Sequence, residues 1–173
     1  MPSVRHLSLP AAPLKQQLEH RCSWNDARSA DEADFFTIGY AGRSLDDIIT
    51  ALLQRGVRTL VDVRQNPVSM FRPEVSKKNL ARAIESSGMI YTHLPEFGVP
   101  RDIRAKAIGA GDRHVIWAWY DEHVVTSLHN LHYFLNGFEH PVAFMCTEID
   151  PGECHRHRIS LALERRGLKS YDL

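Results

Sequence analysis

From Phe35 onward, short apolar runs alternate with longer stretches whose apolar residues recur at helical spacing. That alternation constrains the fold more than any other feature. "FFTIG" (35–39) is an apolar run ending in glycine, as a buried strand requires. "SLDDIITALLQRG" follows, with Leu45, Ile48, Ile49, Leu52 and Leu53 along one face. Ser44 stands at the N-cap, Asp47 at the capping-box position and Gly56 at the stop. "TLVDV" (59–63) reads as a second strand, "SKKNLARAIESSG" (76–88) as a helix and "IYTHL" (90–94) as a third strand. Residues 95–111, with two prolines and three glycines, read as a long irregular connection. One long amphipathic helix is expected over 112–137, with Val124, Val125, Leu128, Leu131 and Leu135 on its apolar stripe. "VAFMC" (142–146) is a fourth strand. A last helix carries Ile159, Ala162 and Leu163 and ends at Gly167, and "KSYDL" (169–173) is a fifth strand.

Strands separated by helices pair in parallel through right-handed crossovers, and strands apolar on both faces are covered on both faces. The expectation is a three-layer α/β domain over 35–173, with a mostly parallel sheet of about five strands. Residues 1–34 carry Pro2, Pro10 and Pro13 with no sustained periodicity, and read as a loosely structured N-terminal extension.

Composition narrows the function classes. The 173 residues carry 21 acidic and 21 basic side chains, so no global field draws the chain onto nucleic acid. No apolar run reaches the ~20 residues of a membrane span, and the N-terminus lacks a signal-peptide core; a cytoplasmic protein is expected. Three cysteines, an odd number without a secretory signal, argue against a disulfide framework.

Ligands of open parallel sheets bind beyond the carboxyl ends of the strands. Those ends read "GYAGRS", "DVRQNP", "HLPEFG" and "CTEIDPGECHRHR", each with a polar or reactive group. Cys154 sits at the start of the last helix beside His155 and Arg156, where free N–H groups and positive charge favour a thiolate. It is therefore the expected nucleophile. His155, or His93 at the third strand end, is the expected base. Glu148 is placed to orient His155 or accept a proton, and Cys146 to resolve Cys154 or merely to pack. Asp62 and Arg64 alternate to one face as an ion pair or anion clamp. Arg72 and Arg156 are further anion contacts, and the Gly39–Tyr40 turn offers backbone N–H groups. His129 and His132 read as solvated.

No metal is expected. Cys146, Cys154 and His155 would be the ligands if one were held, but their spacing is neither C-x-x-C nor a zinc-ribbon pattern. Nor is there a C-x5-R phosphatase loop, since Gly152 follows Cys146 by six and Ser160 follows Cys154 by six.

Taken together, Thr37-Ile38-Gly39, Asp62-Val63-Arg64 with Pro67 and Ser69, Tyr91-x-His93-Leu94-Pro95, and Cys146-x-Glu148 with Cys154-His155-Arg156 resemble the domain-of-unknown-function 488 family. Members commonly carry His-Ser where this chain has Tyr40 and Ala41, and an arginine where it has Met70. The resemblance implies the α/β fold and a site at these residues, and adds Ser69 to the anion contacts. The family's name assigns no activity.

Three functions follow from these readings. The first is a cysteine-dependent transferase, hydrolase or thiol-redox enzyme acting on a small anionic or phosphate-containing molecule, in a cleft at the strand ends. The second is a nucleic-acid-binding or DNA-repair-associated module, using Trp117, Trp119 and Tyr120 for stacking. The third is a binding domain without catalysis.

Overall fold

A computed structural model describes residues 24–126 and 135–173. Five strands form one all-parallel sheet: β1 (Phe35–Gly39), β2 (Thr59–Asp62), β3 (Ile90–His93), β4 (Val142–Cys146) and β5 (Ser170–Asp172), in the order β3-β2-β4-β1-β5. Five α-helices lie among the described residues: α1 (Leu45–Gln54), α2 (Lys77–Ser86), α3 (Arg101–Ala110), α4 (His114–Tyr120) and α5 (Arg156–Glu164). The expected three-layer architecture is the one found.

Strand alternation divides the core in two. Phe35, Val61, Val63, Val142, Phe144 and Cys146 pack with Ile103, Tyr120, Ile159 and Leu163, under α3, α4 and α5. Phe36, Ile38, Leu60, Ala143 and Met145 pack with Ile48, Leu52, Leu80 and Ile84, under α1 and α2. Crossovers leading toward β3 therefore use one face and those returning through β4 to β5 use the other, as right-handed connections demand. β4, followed by α5, lies between β1 and β2, whose helices sit on the opposite face. This is the topological switch point, where a crevice opens beyond the strand ends.

Local chemistry sets the element ends. Ser44 and Asp47 form the expected capping box, with Asp47 N–H to Ser44 Oγ at 3.1 Å and Ser44 N–H to Asp47 Oδ2 at 3.0 Å. Ser76 does not cap α2. Its Oγ instead accepts from Ser69 N–H at 3.0 Å and so pins the loop after β2.

Other segments differ from expectation. The 95–111 connection contains α3. The helix expected over 112–137 starts at His114 and passes into a π-helical turn at Asp121–Val125; Leu128, His129, Leu131 and His132 lie outside the described residues. Of the N-terminal extension, residues 1–23, with Cys22, lie outside them too. Residues 24–34 are tied to the domain. Asn25 exchanges hydrogen bonds with the Asp172 backbone at 2.9 and 3.1 Å, and Arg28 pairs with Glu164 at 3.1 Å. Among the described residues, no helix is long and apolar enough to cross a membrane.

Candidate active site

The switch-point crevice is a cleft of about 180 Å³. Tyr40 just after β1, Arg64 just after β2, Cys146 at the end of β4 and Thr147 and Glu148 beyond it all line the cleft. His155 enters from the start of α5, while Arg104, Arg113 and Trp117 close the side under α3 and α4.

Cys146 is the centre of this arrangement. As the last residue of β4 it points to the α3–α5 face, and its Sγ lies 3.6 Å from Glu148 Oε2 and 3.6 Å from His155 Nδ1. The other ring nitrogen, His155 Nε2, lies 3.8 Å from the same sulfur and 3.2 Å from the Val63 carbonyl oxygen, which orients the ring. Cys154 completes the cluster: its sulfur, Cys146 Sγ and a His155 ring nitrogen all lie within 4.8 Å of one another. Both thiols are free. These are also the residues that could hold a soft metal ion.

The electrostatics follow from burial. Cys154, unlike Cys146, does not line the cleft and is 1% exposed. Burial first, and then the adjoining Cys146, push its thiol up to about 11, against the partial relief of Arg156 and His155. The depressed thiol expected from a helix start with basic neighbours is therefore not what this position provides. Burial, followed by the neighbouring Cys154, likewise lifts the Glu148 carboxyl to about 7. For His155, burial opposes the imidazolium; Cys154, Glu148 and the Val63 carbonyl outweigh it, and the net direction is upward.

The other residues marked in the sequence divide between cleft and scaffold. Asp62 and Arg64 form a buried two-point ion pair, Nε–Oδ1 2.8 Å and Nη2–Oδ2 2.6 Å. Tyr91 Oη donates to Asp62 at 2.6 Å, and the guanidinium lies 5.0 Å from the Tyr40 ring centre. Arg64 still lines the cleft, so it is both clamp and wall. Arg72 lies outside the cleft lining. It donates to the Tyr40 carbonyl at 2.9 Å and the Arg43 carbonyl at 2.5 Å, and pairs with Glu74 at 2.8 Å. Ser69 Oγ accepts from Arg72 N–H at 3.0 Å, so both residues hold the loop rather than line the site.

Arg156 is fully buried. It pairs with Asp172 at 3.0 Å and donates to the Glu148 and Ile149 carbonyls, which makes it the internal brace of the loop after β4. His93 does not join the cysteines. β3 is an edge strand, and the ring bridges Lys77 Nζ (3.0 Å) and the Arg64 carbonyl (2.8 Å). Gly39 has a steric role: a Cβ there would stand 1.8 Å from the Glu148 carbonyl oxygen.

Arg104 and Arg113 are the site residues that sequence reasoning missed. Arg104 Nε donates to the Val99 carbonyl at 3.0 Å, and Arg113 pairs with Glu153 at 3.2 Å. Arg104 belongs to the stretch read as an irregular connection, and Arg113 to the start of the expected amphipathic helix. An arginine at helical spacing after Pro100 was the available signal, but it carries no direction without the fold.

No curated protein and no solved structure matches the chain. A family model does, over residues 44–163, which spans the helix after β1 through most of α5 and so takes in the whole Cys146–Glu148–Cys154–His155 cluster. The chain belongs to the family described as Domain of unknown function DUF488.

Proposed function

We propose that the chain is an enzyme that uses Cys146 as a nucleophile on a small anionic molecule bound in the switch-point cleft. One observation carries the reading: Cys146 Sγ, on the cleft floor, lies 3.6 Å from both a carboxylate oxygen and an imidazole nitrogen. A sulfur flanked by a proton acceptor and an orienting ring is the arrangement of an activated nucleophile. The thiol proton passes to Glu148 as the sulfur bonds to the electrophilic atom of the substrate. The bond to the leaving group breaks, and the leaving group takes the proton back from the Glu148 carboxyl. Arg64, Arg104 and Arg113 line the cleft and supply positive charge for an anionic group. Cys154 supports the cluster from behind. The volume of about 180 Å³ suits a small molecule and not a folded partner.

The test compares a charged and a neutral alkylating reagent of similar size. Iodoacetate should label Cys146 faster than iodoacetamide does, and Arg104→Ala together with Arg113→Ala should reverse that order. If iodoacetamide is the faster reagent in both proteins, the cleft does not select anions.

A further inference from the structure

The cluster behind the cleft has a second property that a nucleophile alone does not need. Its three donor groups, two thiols and an imidazole, are buried at 3%, 1% and 7% exposure and converge on one another. We infer that Cys146, Cys154 and His155 bind a zinc ion, with a fourth coordination position facing the cleft. The inference deepens the proposed function, resting on it only for the identity of the nucleophile.

Five features fit. The donor set is Cys₂His, which zinc takes through Zn–S bonds of about 2.3 Å and Zn–N bonds of about 2.0–2.1 Å. Tetrahedral angles at those bond lengths set sulfur and nitrogen about 3.6 Å apart, and Cys146 Sγ and His155 Nδ1 lie 3.6 Å apart. The second shell is in place as well. His155 Nε2–H donates to the Val63 carbonyl at 3.2 Å, which leaves Nδ1, 3.6 Å from Cys146 Sγ, as the unprotonated nitrogen. A backbone carbonyl on the outer nitrogen is how metal-ligating histidines are commonly oriented. An entry path exists, since Cys146 and His155 both line the cleft. The charge also balances, because two thiolates and a dication sum to zero and a net charge is not left buried.

The elements explain why spacing concealed the set. Cys146 ends β4, and Cys154 and His155 precede α5, so a strand end and a helix start close on each other without any C-x-x-C turn. On binding, each thiol releases its proton to solvent, and both sulfurs are held as thiolates without a base. A zinc-held Cys146 still faces the cleft as a thiolate, and Glu148 takes up a proton from solvent and gives it to the leaving group.

The full chain, purified without chelator, should retain close to one zinc per chain. Titration of the metal-free chain with Co²⁺ under reducing conditions should give a thiolate-to-cobalt charge-transfer band. Cys146→Ser and Cys154→Ser should each weaken binding by about 100-fold or more, while Cys22→Ser leaves it unchanged. To keep the test independent of variant folding, the unaltered chain is also footprinted. Zinc should slow alkylation of Cys146, and of Cys154 under prolonged treatment, and leave Cys22 at its zinc-free rate. Cobalt uptake without the charge-transfer band, or equal labelling of both cysteines with and without zinc, overturns the site. Failure of the metal leaves the proposed function standing if zinc-free Cys146 still prefers iodoacetate. Zinc binding with a Cys146 that never reacts sinks the proposed function and keeps the site.

Discussion

Gly39 and Glu148 meet backbone to backbone across the ends of β1 and β4. A Cβ on Gly39 would stand 1.8 Å from the Glu148 carbonyl oxygen and 2.9 Å from Ile149 Cα. Neither atom can swing aside as a side-chain tip can, and Arg156 already holds both carbonyls of that segment. Gly39→Ala should therefore displace Glu148 from Cys146. The expected outcome is a loss of about 1–3 kcal/mol in urea unfolding, together with slower labelling of Cys146. Gly109, in α3, meets nothing within 4 Å. Gly109→Ala should raise stability by ~0.5–1 kcal/mol and leave labelling unchanged.

Arg156 separates a brace from a substrate contact. Its side chain and that of Asp172 are both 0% exposed, and it serves two loop carbonyls besides. Removing one partner of a buried ion pair costs about 3–5 kcal/mol, so Arg156→Met should unfold at a much lower urea concentration. Arg156→Lys should recover little of the loss, because an ammonium cannot span three acceptors. A variant of native stability that only binds anions more weakly would return Arg156 to the cleft.

Glu148 sets a pH dependence in the metal-free chain. Its folded-state carboxyl titrates at about 7, above the ordinary 4.5. The fold thus favours the protonated form, and that contribution is complete below pH ~4.5 and lost as pH rises through ~7. The loss should be on the order of 1–3 kcal/mol, read as a falling urea midpoint between those pH values. Glu148→Gln should flatten this limb and be the more stable protein at pH 8. An unchanged slope in the variant would assign the effect to another group.

The Asp62–Arg64 pair should matter to the site through the loop it holds. Arg64 Nη2 also donates to the Val75 carbonyl at 2.9 Å, and its peptide oxygen receives His93 Nε2–H at 2.8 Å. Asp62→Asn should cost about 3–5 kcal/mol and widen the cleft, seen as faster and less charge-selective labelling of Cys146. Native-like selectivity in a destabilised Asp62→Asn protein would confine the pair to a structural role.

The legible part of the sequence was the part governed by periodicity. The apolar runs gave all five strands, because a sheet covered on both faces demands them, and the strand ends pointed to Arg64, Tyr40, Cys146, Glu148 and His155, which line one cleft. Strand order was not legible. His93 follows a strand just as Cys146 does, yet β3 is the sheet edge and β4 its centre. Direction was not legible either. Arg156 adjoins Cys154 by two residues, but its guanidinium runs to Asp172 and the loop carbonyls, and burial then decides the thiol. Arg104 and Arg113 reach the cleft only because α3 and α4 fold over it, which the prolines and glycines of 95–111 disguised.

Peptide-resolved mass spectrometry of the native, metal-free chain after brief treatment with iodoacetate at neutral pH tests the central claim most directly. Cys146 should carry the label while Cys154 stays unmodified, and Glu148→Gln should slow the labelling about tenfold or more. Label on Cys154 with Cys146 untouched would contradict the account.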